Sequence, residues 1–429
     1  MATINCVICV DGLAPYIYQR YKSHLPFLTS LEKKGIFIEL KTNCPTHTMD
    51  SQISFLTGIE PNHYFIRHTL PPNLELRDAY PNHYSETNYL PYCDSDLYNF
   101  TAKQNHLVWN FDWWITQSHP NIDINFSFIA PSLSSEVSKY VSSISGFSQV
   151  DSGYNFSTRK RRPEHDLFNQ KLALSLLSNS LHTKRSIFFT LYYGEYDQQA
   201  FQNGPSSKPA IHALKIIDKQ LNELHSFIKN NYSNYNFTVV SDHGFQSIDH
   251  SIAINQWLCQ NKLIITNSDN TIKFWKCAAY STGGCTAIYI NPRYKSEEQK
   301  IQKELESALS AFITLYPSAI DSYFINNKDY HCDIPSLFTY SFPHAYAVLF
   351  AQPPYSFSDK LNTPLIDNSL HKGAYGFRST LNSMDACFFS RSSEPKPIGI
   401  DKLPKQMKLY RSAHLIKALM LSKSHQPSH

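Results

Sequence analysis

Short, unbroken apolar runs that each end at an acidic residue are the feature that most limits how this chain can fold. INCVICV (4–10) runs into Asp11, FFTLYYGEY (188–196) into Asp197, and NFTVV (236–240) through Ser241 into Asp242. Runs without polar alternation are the pattern of strands covered on both faces. Between them stand helical periodicities. Leu25, Leu28 and Leu31 are stopped by Gly35, and a second helix is marked by Leu167, Leu172, Leu174, Leu177 and Leu181. The clearest helix spans 207–230, where Leu214, Ile217, Leu221, Leu224 and Ile228 recur at spacings of three and four. This strand–helix–strand alternation predicts an α/β fold: a mostly parallel central sheet covered by helices on both faces.

The remaining segments fill in the organisation. IFIEL (36–40) reads as a second strand, and residues 47–57 as a short helix that begins near Thr46 or Thr48 and ends before Gly58. Residues 59–165, rich in Pro, Asn, Tyr and Ser, are expected to be largely irregular. Beyond residue 250 the pattern changes. WKCAAYSTGGCTAIYINP predicts two short strands about a Gly-Gly turn, and KSEEQKIQKELESALSAFI a solvated helix. We expect one domain over 1–429, with a smaller α+β subdomain inserted at 251–365. A core strand within GAYGFRSTLNSMDACFF and a helix near 407–422 close the chain.

Composition excludes several alternatives. With 42% apolar and 14% aromatic residues in 429, the chain is not disordered, collagenous or a coiled-coil rod. A formal charge of +4, from 39 basic and 35 acidic residues, gives no footprint for a nucleic-acid duplex. The one basic cluster, Arg159–Lys160–Arg161–Arg162, reads as a solvated loop. No apolar run reaches the roughly 18 residues of a membrane span, and the N-terminal stretch, interrupted by Asp11, reads as a buried strand rather than a leader. The nine cysteines are scattered, and Cys6 and Cys9 fall on opposite faces of a strand, so core cysteines in a reducing, cytoplasmic setting are expected.

The chemistry gathers where strands end. Open α/β sheets collect their ligands at the carboxyl ends of parallel strands, and Asp11, Asp197 and Asp242 all fall there, the last followed by His243–Gly244. Taken singly, each Asp reads equally as a helix cap. Thr48 stands at the predicted helix start in CPTHTMDSQISFLTG. It is a cap in one reading. In the other it is a hydroxyl nucleophile beside backbone N–H groups that favour a phosphate. His47 and His63 flank this region, as substrate contacts or as ordinary packing. Tyr84, Tyr89, Trp109, Trp113 and Trp114 line a pocket or fill the core.

Together, DG (11–12), PTHT (45–48), TG (57–58) with Pro61, Y-x-E-x-D (193–197), GP (204–205), SDHG (241–244) and KGAYGF (372–377) resemble the alkaline phosphatase superfamily, in its type I phosphodiesterase/nucleotide pyrophosphatase branch. The resemblance spans nearly the whole chain in order. It implies an alkaline phosphatase-like fold and an in-line phosphoryl displacement between two zinc ions. For the first zinc it implies Asp11, Thr48, Asp242 and His243, all present, with Thr48 attacking phosphorus to form a phosphothreonine.

The second zinc site departs from the family pattern. Asp197 is kept, but Phe201 and Tyr375 stand where the family has histidines, and an Asp-Asn pair has become Arg378–Ser379. His371, four residues before Tyr375, is the candidate replacement ligand. Losing a second cation costs about 4 kcal/mol of transition-state stabilisation, which Lys372, Arg378 or the Tyr375 hydroxyl can offset in part by hydrogen bonding. The resemblance therefore predicts a phosphodiesterase or phosphoryl-transfer enzyme with one zinc ion, or manganese or another divalent metal in its place, acting on a small-molecule phosphate ester or phosphodiester. The alternative is a pseudoenzyme that keeps the fold as a binding module.

Overall fold

The apolar runs become neighbouring strands of one eight-stranded sheet. In the computed structural model, residues 2–59, 96–113, 116, 119–126, 162–269, 271–325, 342, 345–393 and 403–421 are described. His63, Tyr84, Tyr89, Trp114 and the run Arg159–Arg161 lie outside them. In chain order the sheet takes β1 (Thr3–Val10), β2 (Ile36–Lys41), β3 (Leu107–Phe111), β4 (Ile124–Phe126), β5 (Ile187–Tyr193) and β6 (Asn234–Val240), then Ala386–Ser392 and Gln406–Lys408. Their spatial order is Gln406–Lys408, β2, Ala386–Ser392, β6, β1, β5, β3, β4. Only Ala386–Ser392 runs antiparallel to its neighbours; every other pairing is parallel.

Both faces are covered, which is why these strands carry no polar alternation. On one face Ile4, Cys6, Ile8 and Val10 of β1 meet Leu172 and Leu176 from helix Arg162–Asn179 and Leu214, Leu221 and Ile228 from helix Lys208–Asn231. On the other, Val7 and Cys9 meet Ile53 and Leu56 from helix Thr48–Thr57 and Ile416 and Leu419 from helix Arg411–Leu421. Cys6 and Cys9 thus sit in different halves of the core, both as free thiols. Burial of each aliphatic side chain contributes roughly 1.5–3 kcal/mol, so the period-2 split of β1 between two cores fixes its register.

Residues beyond β6 build a second cluster of buried side chains. It lies around an antiparallel sheet of Cys277–Ser281, Cys285–Ile290, Ala347–Ala351 and Ile320–Ile325, with helix Glu298–Leu315 contributing Ile301, Leu305 and Phe312. Within 59–165, expected to be largely irregular, the described residues include helix Leu97–Lys103 and the strands β3 and β4, and the two strands extend the main sheet. LVWNF is too short to read as a strand by itself, but against β5 it is buried almost completely. Trp109 and Trp113 are core residues; the Trp113 indole donates to the Leu191 carbonyl at 3.1 Å. Gln406–Lys408 is likewise strand, and the last helix starts only at Arg411.

Candidate metal centre

The site is assembled at the carboxyl ends of the adjacent strands β6, β1 and β5. Asp11 follows β1 directly, its backbone N–H donating to the Tyr193 carbonyl at 3.0 Å. The chain then turns at Gly12 with φ +77°; a Cβ there would meet the Phe245 ring at 2.6 Å. A glycine lets the backbone enter this left-handed turn and approach closely enough for the Gly12 N–H to donate to Asp242 Oδ1 at 3.1 Å. After β6, Ser241 Oγ donates to the Leu13 carbonyl at 2.6 Å and accepts from Cys387 N–H at 2.7 Å, which pins the loop that carries Asp242 and His243. Gly244 passes so near Ser383 that a Cβ would lie 1.9 Å from its carbonyl oxygen.

Thr48 is the first residue of helix Thr48–Thr57, and His47 occupies the cap position without a side-chain capping bond. Gly58, at φ +73°, closes the other end in the left-handed conformation that favours glycine. The Thr48 hydroxyl therefore does not cap the helix. It lies 3.2 Å from His243 Nε2. His243 Nδ1 donates to the Gly244 carbonyl at 3.1 Å, which turns Nε2 toward Thr48, Asp11 Oδ1 at 3.4 Å and Asp242 Oδ2 at 3.8 Å.

Asp11, Asp242 and His243 each offer a ligand atom within 4.8 Å of the others, and all are buried; they form the one such group of three among the described residues. Asp11 Oδ1 and Asp242 Oδ2 are buried with no hydrogen-bond partner, whereas their second oxygens are engaged, Asp242 Oδ1 by the Gly12 and His243 backbone N–H groups and Asp11 Oδ2 by the Tyr192 hydroxyl. Burial, then the charges of Asp197 and Asp242, push the Asp11 carboxyl well above its usual range. Converging buried carboxylates of this kind are stable as anions only beside a compensating cation. Two carboxylate oxygens, an imidazole nitrogen and a hydroxyl suit zinc, and other divalent metals less selectively.

The other positions singled out in the sequence converge differently. Asp197 lies in the first turn of helix Glu195–Asn203, close enough for its charge to act on Asp11. Phe201 of that helix stacks on the exposed His371 ring, centroids 4.0 Å apart, and its carbonyl accepts from Lys372 N–H at 3.1 Å. Tyr375 stacks on His243 at 4.2 Å. Neither Asp197 nor His371 joins the three-residue group. The Lys372 side chain is exposed, and Arg378 Nη1 lies 3.6 Å from Asp321 Oδ2. His47 is held by Thr282 Oγ1 at 2.8 Å and lies 3.5 Å from Asp50. Sequence reasoning missed Tyr192 and Thr282. Tyr192 is one aromatic in a run of buried ones, and only strand pairing puts it beside Asp11.

Comparison with known proteins places the chain in a family and a fold. The family model for type I phosphodiesterase / nucleotide pyrophosphatase matches residues 5–377, and the chain belongs to that family. No curated protein sequence matches it. Among solved structures it is similar to murine ectonucleotide pyrophosphatase / phosphodiesterase 5, at TM-score 0.63 and 15% identity over 97% of this chain and 94% of that one. The human counterpart aligns at TM-score 0.62 and 14% identity over the same shares. An inactive variant of the murine protein in complex with AMP gives TM-score 0.63 at 14% identity, again over 97% and 94%. At such identity these structures speak to the alkaline phosphatase-like fold. No helix among the described residues is long and apolar enough to cross a membrane.

Proposed function

We propose that the protein is a divalent-metal-dependent phosphodiesterase or phosphoryl-transfer enzyme that works through Thr48 and a single cation site, with zinc as its cation. The observation that carries this reading is the convergence of two partnerless buried carboxylate oxygens, His243 Nε2 and the Thr48 hydroxyl. Asp11, Asp242 and His243 would hold the ion, with Thr48 beside it. The chemistry such a cation supplies is Lewis acidity, which lowers the pKa of a neighbouring hydroxyl and stabilises charge on a phosphoryl oxygen.

The chain's own groups do the rest. The helix starting at Thr48 offers first-turn N–H groups and the positive end of its dipole to a phosphate oxygen. Tyr192 and the Gly12 and His243 N–H groups fix the orientation of the two carboxylates. The Thr48 hydroxyl releases its proton to solvent and its oxygen forms a bond to phosphorus as the bond to the leaving alkoxide breaks, and the leaving oxygen takes a proton from water. Water or an alcohol then displaces the phosphothreonine and regenerates the hydroxyl. The substrate class is a small-molecule phosphodiester; the AMP held by the murine protein supports a nucleotide among the candidates.

A second reading, a binding module without turnover, is favoured by the aromatic rings of Phe201 and Tyr375 at the positions of family ligands. Hydrolysis of bis(p-nitrophenyl) phosphate separates the two. Turnover that falls at least about 1,000-fold in Thr48→Ala supports the enzyme. Wild-type turnover in that variant removes Thr48 as nucleophile, and no turnover in the wild type leaves the binding module.

A further inference from the structure

Tyr375 is placed too firmly, and with too little for its hydroxyl to do, for it to be mere filling. Its backbone is laced on both sides: the Tyr375 carbonyl accepts from Gly284 N–H at 2.7 Å, and the next residue, Gly376, donates its N–H to Thr46 O at 3.2 Å and Thr46 Oγ1 at 3.0 Å. Gly376 itself needs φ +84°, with a would-be Cβ 2.1 Å from the Thr282 carbonyl, so this segment has little freedom to move. The ring is sandwiched. Its face lies on His243, with an interplanar angle of 25°, and Phe245 meets it edge-on at 5.5 Å. Its hydroxyl makes no hydrogen bond to any described residue, unlike the hydroxyls of Tyr192, Tyr193 and Tyr196 in the same half of the molecule.

The hydroxyl also stands in a telling place. It lies within electrostatic reach of two carboxylates of the three-residue group, Asp11 and Asp242, and of Asp197. A neutral O–H there supplies a fixed positive dipole end where the family places a cation. The O–H of a phenol is a good hydrogen-bond donor to an anionic phosphoryl or alkoxide oxygen, and a preorganised donor in a low-dielectric site is worth far more than one in water.

We propose that Tyr375 is a catalytic hydrogen-bond donor: its hydroxyl binds the leaving-group side of the phosphodiester and stands in for the missing second cation. The inference rests on the phosphodiesterase reading of the site. No proton is transferred; the leaving alkoxide is stabilised by the hydrogen bond and takes its proton from solvent. Stacking on His243 keeps the ring orientation fixed whether or not substrate is bound, so the donor needs no reorganisation during the reaction.

The test uses the full chain loaded with zinc. Aryl methyl phosphodiesters of graded leaving-group pKa are hydrolysed by wild type and by Tyr375→Phe, which keeps the ring and its stacking. The expected result is a fall in kcat of about 100-fold for the poorest leaving group, a smaller fall for p-nitrophenolate, and little change in KM. A uniform loss across the series, or none, overturns the proposal. A second measurement stands apart from turnover. Inorganic phosphate binding to Thr48→Ala is measured by calorimetry with and without Tyr375→Phe, and an affinity about 10-fold weaker in the double variant is expected for one charge-assisted bond lost. Equal affinities count against the donor. If aryl phosphodiesters are not turned over by the wild type at all, the enzymatic reading falls, while the phosphate measurement still decides whether Tyr375 binds a phosphoryl oxygen.

Discussion

The hydroxyl of Thr48 lies 3.2 Å from Nε2 of His243, a residue 195 positions further along the chain, and the imidazole is turned by its own Nδ1 contact with the Gly244 carbonyl so that Nε2 faces that hydroxyl. The contact ties the head of one helix to the loop after β6. It makes a threonine that would otherwise be a routine helix opener part of a buried polar centre.

The centre should take up one divalent cation per chain. Elemental analysis of the purified protein is expected to give a stoichiometry near one, falling well below one in Asp242→Asn. A ligand that binds only the folded chain stabilises it by about 2.7 kcal/mol when present at 100 times its Kd. Chelation should therefore lower the melting temperature of the wild type by several degrees and leave Asp242→Asn almost unmoved. Identical melting temperatures with and without chelator in the wild type would count against any cation there.

Tyr192 orients Asp11 through its hydroxyl, and groups that orient a ligand typically contribute 10- to 100-fold to metal affinity. Tyr192→Phe should therefore bind zinc at least about 10-fold more weakly in a chelator competition, with the fold unchanged by far-UV circular dichroism. Unchanged affinity shows that Asp11 is held by its backbone alone.

The family resemblance puts second-site ligands at Phe201 and Tyr375, and Asp197 lies on the helix of Phe201 within electrostatic reach of Tyr375. Restoring Phe201→His and Tyr375→His together should raise the zinc stoichiometry from one to two, since an Asp and two imidazoles complete a three-ligand site. Either change alone should leave it at one. A double variant that still binds one ion shows that the backbone around 372–377 has moved away from ligand geometry.

Asp359 supplies a check on stability outside the site. Burial pushes its carboxyl up to about 6, against the opposing hydrogen bond from the Ser281 backbone N–H at 2.7 Å. A carboxyl raised in the folded state contributes stability that is full below the unfolded pKa near 3.8 and is lost as pH rises through about 6. Asp359→Asn keeps the acceptor for Ser281 and removes the ionisation. Its advantage over wild type in urea denaturation should grow by about 2 kcal/mol between pH 4.5 and 7.5. A difference that does not change with pH refutes this account.

Much of the architecture is readable from local pattern. INCVICV, SIFFTLYY and NYNFTVV became the three adjacent central strands, and the 3–4 spacing of Leu214 to Ile228 became the buried face of a 24-residue helix. Gly58 ends its helix where the sequence places the stop. The edge of the sheet was not readable. β3 and β4 are short, and their apolar runs do not stand out until β5 covers them.

Asp11, Thr48, Asp242 and His243 could be picked out in the sequence because each sits at the end of an element, and where an element ends is written in its own residues. Tyr192 beside Asp11, Tyr375 on His243 and Phe201 on His371 could not. Periodicity fixes which face of a strand or helix a side chain takes, but which distant element meets that face depends on strand order and loop path. Those are set by burial summed over the whole core, to which residues hundreds of positions apart contribute together.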